Sequence, residues 1–307
     1  MTSELPAISL VAMDKIEGIA DYLERIGDQA RFELAYTMTP ALLDEVEPLI
    51  KGKVLSVHAC CPATEYFPNL ASKDPPVIAQ SLEDMRSTLG TALRFGASIV
   101  VMHAGYVTDL AMPSDYRSRS VLLARPEFSA KVRFADGSIC GSDYCHGEDY
   151  LLFASRAKER LIEVATAYAE NSVRLAVENL NPRVGYLFHT PEEMVELSVL
   201  HPNLDLCLDV GHLFISSFAY GFDFIEGIRT ILSTGKVATC HLHSNSSMPG
   251  RFKDDHHSID KHAFPIKAVL ELLADSNANL VLETVEEPSR NSLMLRDMVS
   301  PDKKNSF

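Results

Sequence analysis

An α/β chain closing into a (β/α)8 TIM barrel is the fold this sequence predicts, and three observations predict it. Short β-branched runs alternate with longer amphipathic stretches, eight such pairs can be counted, and 307 residues is a length that eight βα units fill. Strands separated by helices pair in parallel through right-handed crossovers. An open doubly wound sheet is the competing architecture. It would carry a glycine-rich phosphate loop after an early strand, and no GxGxxG occurs.

The strands are expected at "AISLVAM" (7–13), "RFELAYT" (31–37), "KVLSVHA" (53–59), "SIVVMHAG" (98–105), "VRLAVENL" (173–180), "LDLCLDVGH" (204–212), "VATCHLHS" (237–244) and "NLVLETV" (279–285). Between them the pattern predicts helices at 15–26, 40–50, 76–95, 148–171, 191–199, 222–233 and 262–275, with a last one near 290–299. Thr39-Pro40 and Thr190-Pro191 mark two starts: a capping hydroxyl precedes a proline whose missing N–H has no partner to lose in the first turn. No stretch rich in Pro, Gly or Ser divides the chain, so residues 1–307 are expected to form one domain. Residues 106–147 are too long for a strand-to-helix loop and read as an insertion over one barrel end, with a hairpin in "KVRFADGSIC" turning at Asp136-Gly137.

A hydrophobic fraction of 46% and a charged fraction of 23% suit a chain with a large core. Apolar runs stop well short of a membrane span, and "MTSELPAISLVAMDK" lacks the basic start and cleavage pattern of a signal peptide. A soluble, cytoplasmic protein with no membrane partner is the expectation. The six cysteines have no framework spacing, so reduced thiols are expected. A formal net charge of −14 argues against a broad basic surface for nucleic acid.

The chemistry is concentrated at the strand ends. "HLHSNSSMPGRFKDDHHSI" (241–259) holds four of the eleven histidines together with Asp254 and Asp255. His58 closes the third strand, His103 the fourth, Glu178 the fifth, and Asp209 and His212 the sixth; His241 lies on the seventh, and Glu283 closes the eighth. In a barrel those C-terminal ends converge on the face where active sites sit. One histidine or carboxylate at a strand end is commonly a packed core residue or a helix cap. Six consecutive strands delivering one to the same face is a pattern, and burying those groups unpaired would cost several kcal/mol that bound cations remove.

"VLSVHA", "VVMHAG", "LAVENL", "CLDVGH", "HLHSN", "DDHHSI" and "LVLETV" resemble, in order and spacing, the metal-binding motifs of the xylose isomerase-like TIM-barrel superfamily, most closely its endonuclease IV branch. The D-x-H-H-S signature, Asp254-Asp255-His256-His257-Ser258, is specific to that three-metal branch, whereas "LDVGH" and "LET" occur across the superfamily. The resemblance implies one metal on His58, His103 and a bridging Glu178, a second on Glu178, Asp209, His241 and Glu283, and a third on His212, Asp254 and His256. Imidazoles mixed with carboxylates suit divalent transition metals, up to three of them, with Zn²⁺ first and Mn²⁺ or Fe²⁺ as alternatives. Three such ions exceed the charge of the four carboxylates, and the surplus invites an anion.

The match has departures. After Glu178 the chain reads "NLNPRVGYLFHTPEEM", closer to sugar isomerase-like relatives, and after His241 it places His243-Ser244 where the nuclease branch commonly has Asn-Asp. The early loop "CCPATEYFPNLASKDPP" has one lysine and no arginine, whereas tracking a DNA backbone takes several. The first expectation is therefore a metal-dependent hydrolase of a phosphate ester or phosphodiester on a small phosphorylated or sugar-like substrate, with Glu178 and Glu283 catalytic. DNA would be a substrate if Arg117, Arg119, Arg125, Lys131 and Arg133 of the insertion supplied phosphate contacts. An isomerase or epimerase using only Glu178, Asp209, His241 and Glu283 is the second expectation, and iron-dependent oxidative chemistry the third. Glu33 in "FELAY", Arg251 and Lys253 are further candidates for touching the substrate.

Overall fold

Eight short strands close into a parallel barrel: β1 (Ala7–Ser9), β2 (Phe32–Leu34), β3 (Val54–His58), β4 (Ile99–Met102), β5 (Arg174–Glu178), β6 (Leu204–Asp209), β7 (Val237–Leu242) and β8 (Asn279–Leu282). Each pairs with its sequence neighbours and β1 returns to β8, so no edge is left open. The structure, a computed structural model, describes residues 6–299. Residues 1–5, part of the stretch read for a signal peptide, lie outside it.

Side-chain alternation explains how the strands aim their ends. Ile99, Val101, Ala176 and Cys207 fill the barrel interior, while Val100, Met102, Leu175, Val177, Leu206 and Leu208 join the larger core beneath the helices. Two residues beyond Val101, Ala176 and Cys207 stand His103, Glu178 and Asp209, which therefore face inward at the C-terminal mouth. On β7 a register shift opposite Leu206 and Cys207 brings Thr239 level with Cys207 and His241 level with Asp209. Without that extra residue His241 would face the helices.

Helices lie close to their expected places, at Ile16–Ile26, Pro40–Ile50, Pro75–Phe95, Glu148–Ala169, Pro191–Ser198, Phe224–Leu232, Ile266–Leu273 and Pro288–Val299. Thr39 accepts a hydrogen bond from the Leu42 N–H, and Thr190 forms a reciprocal capping box with Glu193. One expectation is corrected. The sixth strand does not run to residue 212: it stops at Asp209, which caps a helix over Val210–Tyr220, so His212 sits in a first helical turn. "VGHLFISSFAY" is apolar nearly all round, and a helix buried on most sides has no amphipathic stripe to announce it.

Residues 106–147 do form an insertion with structure of its own. It contains helices Tyr116–Leu123 and Pro126–Ser129 and the expected antiparallel ribbon, Val132–Phe134 with Ile139–Cys140, turning through Gly137 at φ 75°. Met112–Pro113 pairs with Tyr66–Phe67 and ties the insertion to the loop after β3. Among the described residues no helix is long and apolar enough to cross a membrane. All six cysteines are unpaired and buried.

Candidate metal centre

His58, His103 and Glu178 meet first, each offering a donor atom within 4.8 Å of the others. His58 Nε2 is 3.0 Å and His103 Nε2 3.4 Å from Glu178 Oε2. The far nitrogens are engaged, His58 Nδ1 with the Ala59 carbonyl at 3.0 Å and His103 Nδ1 with the Tyr106 hydroxyl at 3.3 Å. The carbonyl can only accept, so it fixes the His58 tautomer as well as the ring orientation, while the hydroxyl orients the His103 ring.

Glu178 also belongs to a second group with Asp209, His241 and Glu283. His241 Nδ1 is buried without a hydrogen-bond partner, although Glu283 Oε2, Asp209 Oδ2 and Glu178 Oε1 surround it at 3.3, 3.8 and 3.9 Å. An orphaned imidazole nitrogen facing three carboxylates is a donor set that fits a divalent cation. Behind the ring, Glu33 Oε1 lies 3.2 Å from His241 Nε2, and the Ser56 hydroxyl donates to Glu33 Oε2 at 2.7 Å. Glu33 thus stands under the group rather than in the cavity.

The third group contains a residue that the sequence reading left out. His212, Asp254 and His256 are joined by His243. His212 Nε2 is 3.4 Å from Asp254 Oδ2, and His256 Nε2 is 3.2 Å from Asp254 Oδ1. The fully buried His243 ring stacks on His256, with centroids 3.8 Å apart and planes at 10°, and its Nε2 reaches Asp209 Oδ1 at 3.1 Å. Gly211 makes the space: a Cβ there would lie 2.1 Å from His243 Cε1. The signal was present, since His243 stands two residues after His241 and shares its strand face.

Buried charges hold one another ionised. Burial pushes the Glu178 carboxyl up, but hydrogen bonds from His103, His212 and His58 outweigh it and hold the group well below its ordinary range. Glu283 is likewise brought down to about 2, its burial overcome by His241 and His256. His256 is desolvated, yet Asp254 raises it to about 10, and Asp209 and Asp254 raise His212. Burial dominates at His103 and lowers it below the usual histidine value despite the Glu178 carboxylate beside it. The raised imidazoles among the lowered carboxylates hold positive charge where a divalent cation would otherwise supply it, and a cation bound there would displace their protons.

Above the groups lies a cavity of about 600 Å³. His58, His103, Glu178, His212, Asp254, His256 and Glu283 face it, whereas Asp209, His241 and His243 lie deeper. The insertion roofs it with residues from Tyr116 to Ala124 and from Ala135 to Ile139. Lys253 lines the cavity but pairs with Asp136 of the roof at 2.8 Å, and Arg251 is exposed outside the lining. Of the insertion cations only Arg119 lines the cavity; Arg117, Arg125, Lys131 and Arg133 are exposed.

The family described as xylose isomerase-like TIM barrel matches residues 140–300. The chain belongs to that family. Outside the matched span lie the first four barrel strands and most of the insertion. A probable endonuclease 4 from Chloroflexus aggregans is 22% identical over 238 residues, which cover 71% of this chain and 83% of that protein. Among solved structures, a D-tagatose 3-epimerase-like protein superposes with a TM-score of 0.67 at 18% identity, covering 96% of this chain and 98% of its own. A Thermus thermophilus protein soaked with ZnCl2 superposes with a TM-score of 0.60 at 19% identity, covering 99% and 100%. Likeness at these identities establishes the barrel of this xylose isomerase-like family member, and one barrel hosts many chemistries through differences in the site.

Proposed function

We propose that this protein is a metal-dependent hydrolase of small phosphate esters, holding up to three divalent transition metals, with Zn²⁺ the first choice. The observation that carries this reading is the third group. His212, His243, Asp254 and His256 stand beside a four-residue set that would by itself suffice for proton transfer on a sugar. His58, His103 and Glu178 would hold one metal, Glu178, Asp209, His241 and Glu283 a second, and the third group the last. Bound transition metals supply Lewis acidity and make water a better nucleophile near neutral pH. Glu178 joins the first two groups and touches His212 of the third, with His212 Nδ1 3.2 Å from its Oε1. Glu283 faces the cavity between His241 and His256, where an ionised carboxylate can orient water. A cavity of about 600 Å³ under a roof suits a small molecule better than a duplex.

The second reading is an isomerase or epimerase of a sugar or sugar phosphate, in which Glu178 and Glu283 shuttle a proton beside one metal. Its support is the self-contained set of Glu178, Asp209, His241 and Glu283. The double variant Asp254→Ala/His256→Ala separates the two. Wild type and variant are assayed on simple phosphomonoesters and phosphodiesters, an abasic-site duplex and a panel of keto-sugars. Hydrolysis should be lost in the variant while the fold is kept, with the duplex a poor substrate throughout. Sugar turnover that persists in the variant, with no phosphoesterase activity in either protein, overturns the hydrolase.

A further inference from the structure

Two guanidinium groups, one in the roof and one on the loop after β5, line the cavity with no carboxylate to answer them. Arg119 is only 9% exposed. Its Nη1 donates to the carbonyls of Pro113 and Ser114 at 3.0 and 2.8 Å, and its Nε is buried with no partner. Arg183 donates from Nε to the Gly137 carbonyl at 3.2 Å and lies over the rings of Tyr116 and Tyr186. Both line the cavity, and among the described residues neither forms an ion pair with Asp or Glu. A desolvated cation without a counter-ion is costly, and for Arg119 an anion in the cavity would offset that cost; Arg183 is half-buried, with the Tyr116 and Tyr186 side chains against its guanidinium.

The position of that anion relative to the metal groups follows from the packing between them. The Arg119 guanidinium lies 5.2 Å from the centre of the Phe67 ring, and that ring is 5.3 Å from the His103 ring. One aromatic ring therefore separates the roof cation from the first metal group. Tyr36 packs its ring against both Phe67 and His58, at 5.1 and 5.6 Å between centroids, and Leu123 and Tyr186 also line the cavity.

We propose that Arg119 and Arg183 form an acid-binding subsite, and that the substrate class is a phosphate ester carrying a second anionic group across a short apolar spacer. This rests on the hydrolase reading for the phosphate at the metals and adds the requirement for the second acid. Arg119 supplies the fixed charge, anchored through Nη1 with its remaining edge left for the ligand. Arg183 is carried by the loop after β5 and braced against the roof at Gly137.

The test is calorimetric binding of phenylphosphonate and 4-carboxyphenylphosphonate, whose P–C bonds resist hydrolysis, to zinc-loaded protein. The carboxylated probe should bind wild type about tenfold tighter, the scale of a charge-assisted pair. Arg119→Gln and Arg183→Gln should each erode that advantage while leaving phenylphosphonate affinity and zinc content unchanged. Arg119→Lys, which keeps the charge, should retain part of it, and guards against Arg119→Gln failing through the roof carbonyls it anchors. Equal affinity of wild type for the two probes, or an advantage that survives in the double variant, overturns the subsite alone. If neither phosphonate binds, the phosphate assignment falls and takes the subsite with it.

Discussion

Gly211 and His243 show how one missing Cβ sets the chemistry of its neighbour. In the first turn of a helix, alanine in place of glycine ordinarily adds stability. Here the new carbon would overlap the His243 ring, so Gly211→Ala should destabilise the protein by about 1–3 kcal/mol, the usual cost of overpacking. Denaturant unfolding checks the sign, and an unchanged or raised midpoint would mean that the ring can move freely. Glu178 and His212 provide a second comparison. Glu178 serves two groups and contacts the third, whereas His212 serves one. Elemental analysis should therefore find a larger metal loss in Glu178→Gln than in His212→Ala. Equal and mild losses would show that Glu178 does not bridge.

At the scale of elements, the helix Val210–Tyr220 and the roof do the positioning. Asp209 ends a strand and caps that helix, its Oδ1 accepting the His212 N–H at 2.6 Å, so a single carboxylate sets the direction of His212. The roof is tied by its paired strands and, at the cavity rim, by Lys253 with Asp136. That pair is substantially exposed, and such pairs contribute little to global stability. Lys253→Met should leave the unfolding midpoint nearly unchanged while proteolysis within 106–147 becomes faster. Limited digestion followed by mass spectrometry tests this, and an unaltered cleavage rate would show that the roof is held without that pair.

For the whole molecule, the proposed metals would compete with protons for one cluster. His256 is raised from 6.5 to about 10, so its contribution to metal-free stability is fully present below pH 6.5 and is lost as pH rises through about 10. Glu283 is lowered from 4.5 to about 2, so its contribution is fully present above pH 4.5 and is lost as pH falls through about 2. Metal-free protein should therefore unfold at its highest temperature between those limits, near pH 4.5 to 6.5. Metal binding should show the opposite trend above neutrality, its affinity rising about tenfold per pH unit for each proton displaced. Thermal melts across pH, and calorimetry in buffers of different ionisation enthalpy, measure the two effects. A proton release of zero would mean that the imidazoles are already neutral.

Much of this protein is determined locally, and that part was legible in the sequence. Strand and helix periods, the Thr-Pro caps and the parallel count of eight follow from interactions between near neighbours, and together they imply the barrel. Once the barrel is implied, residues from His58 to Glu283 are brought to one mouth, because strand ends in that fold have a fixed destination. Other features were decided only by the tertiary structure, since they depend on contacts between distant segments. The helix containing His212 is stabilised by burial on most sides, so its composition resembles a strand. The inclusion of His243 depends on the register shift in β7 and on the space at Gly211. The separation of Arg119 from the other insertion cations depends on which side of Tyr116–Leu123 packs over Phe67. A residue's type can be read from the chain, but whether its charge is buried and unanswered is set by what folds over it.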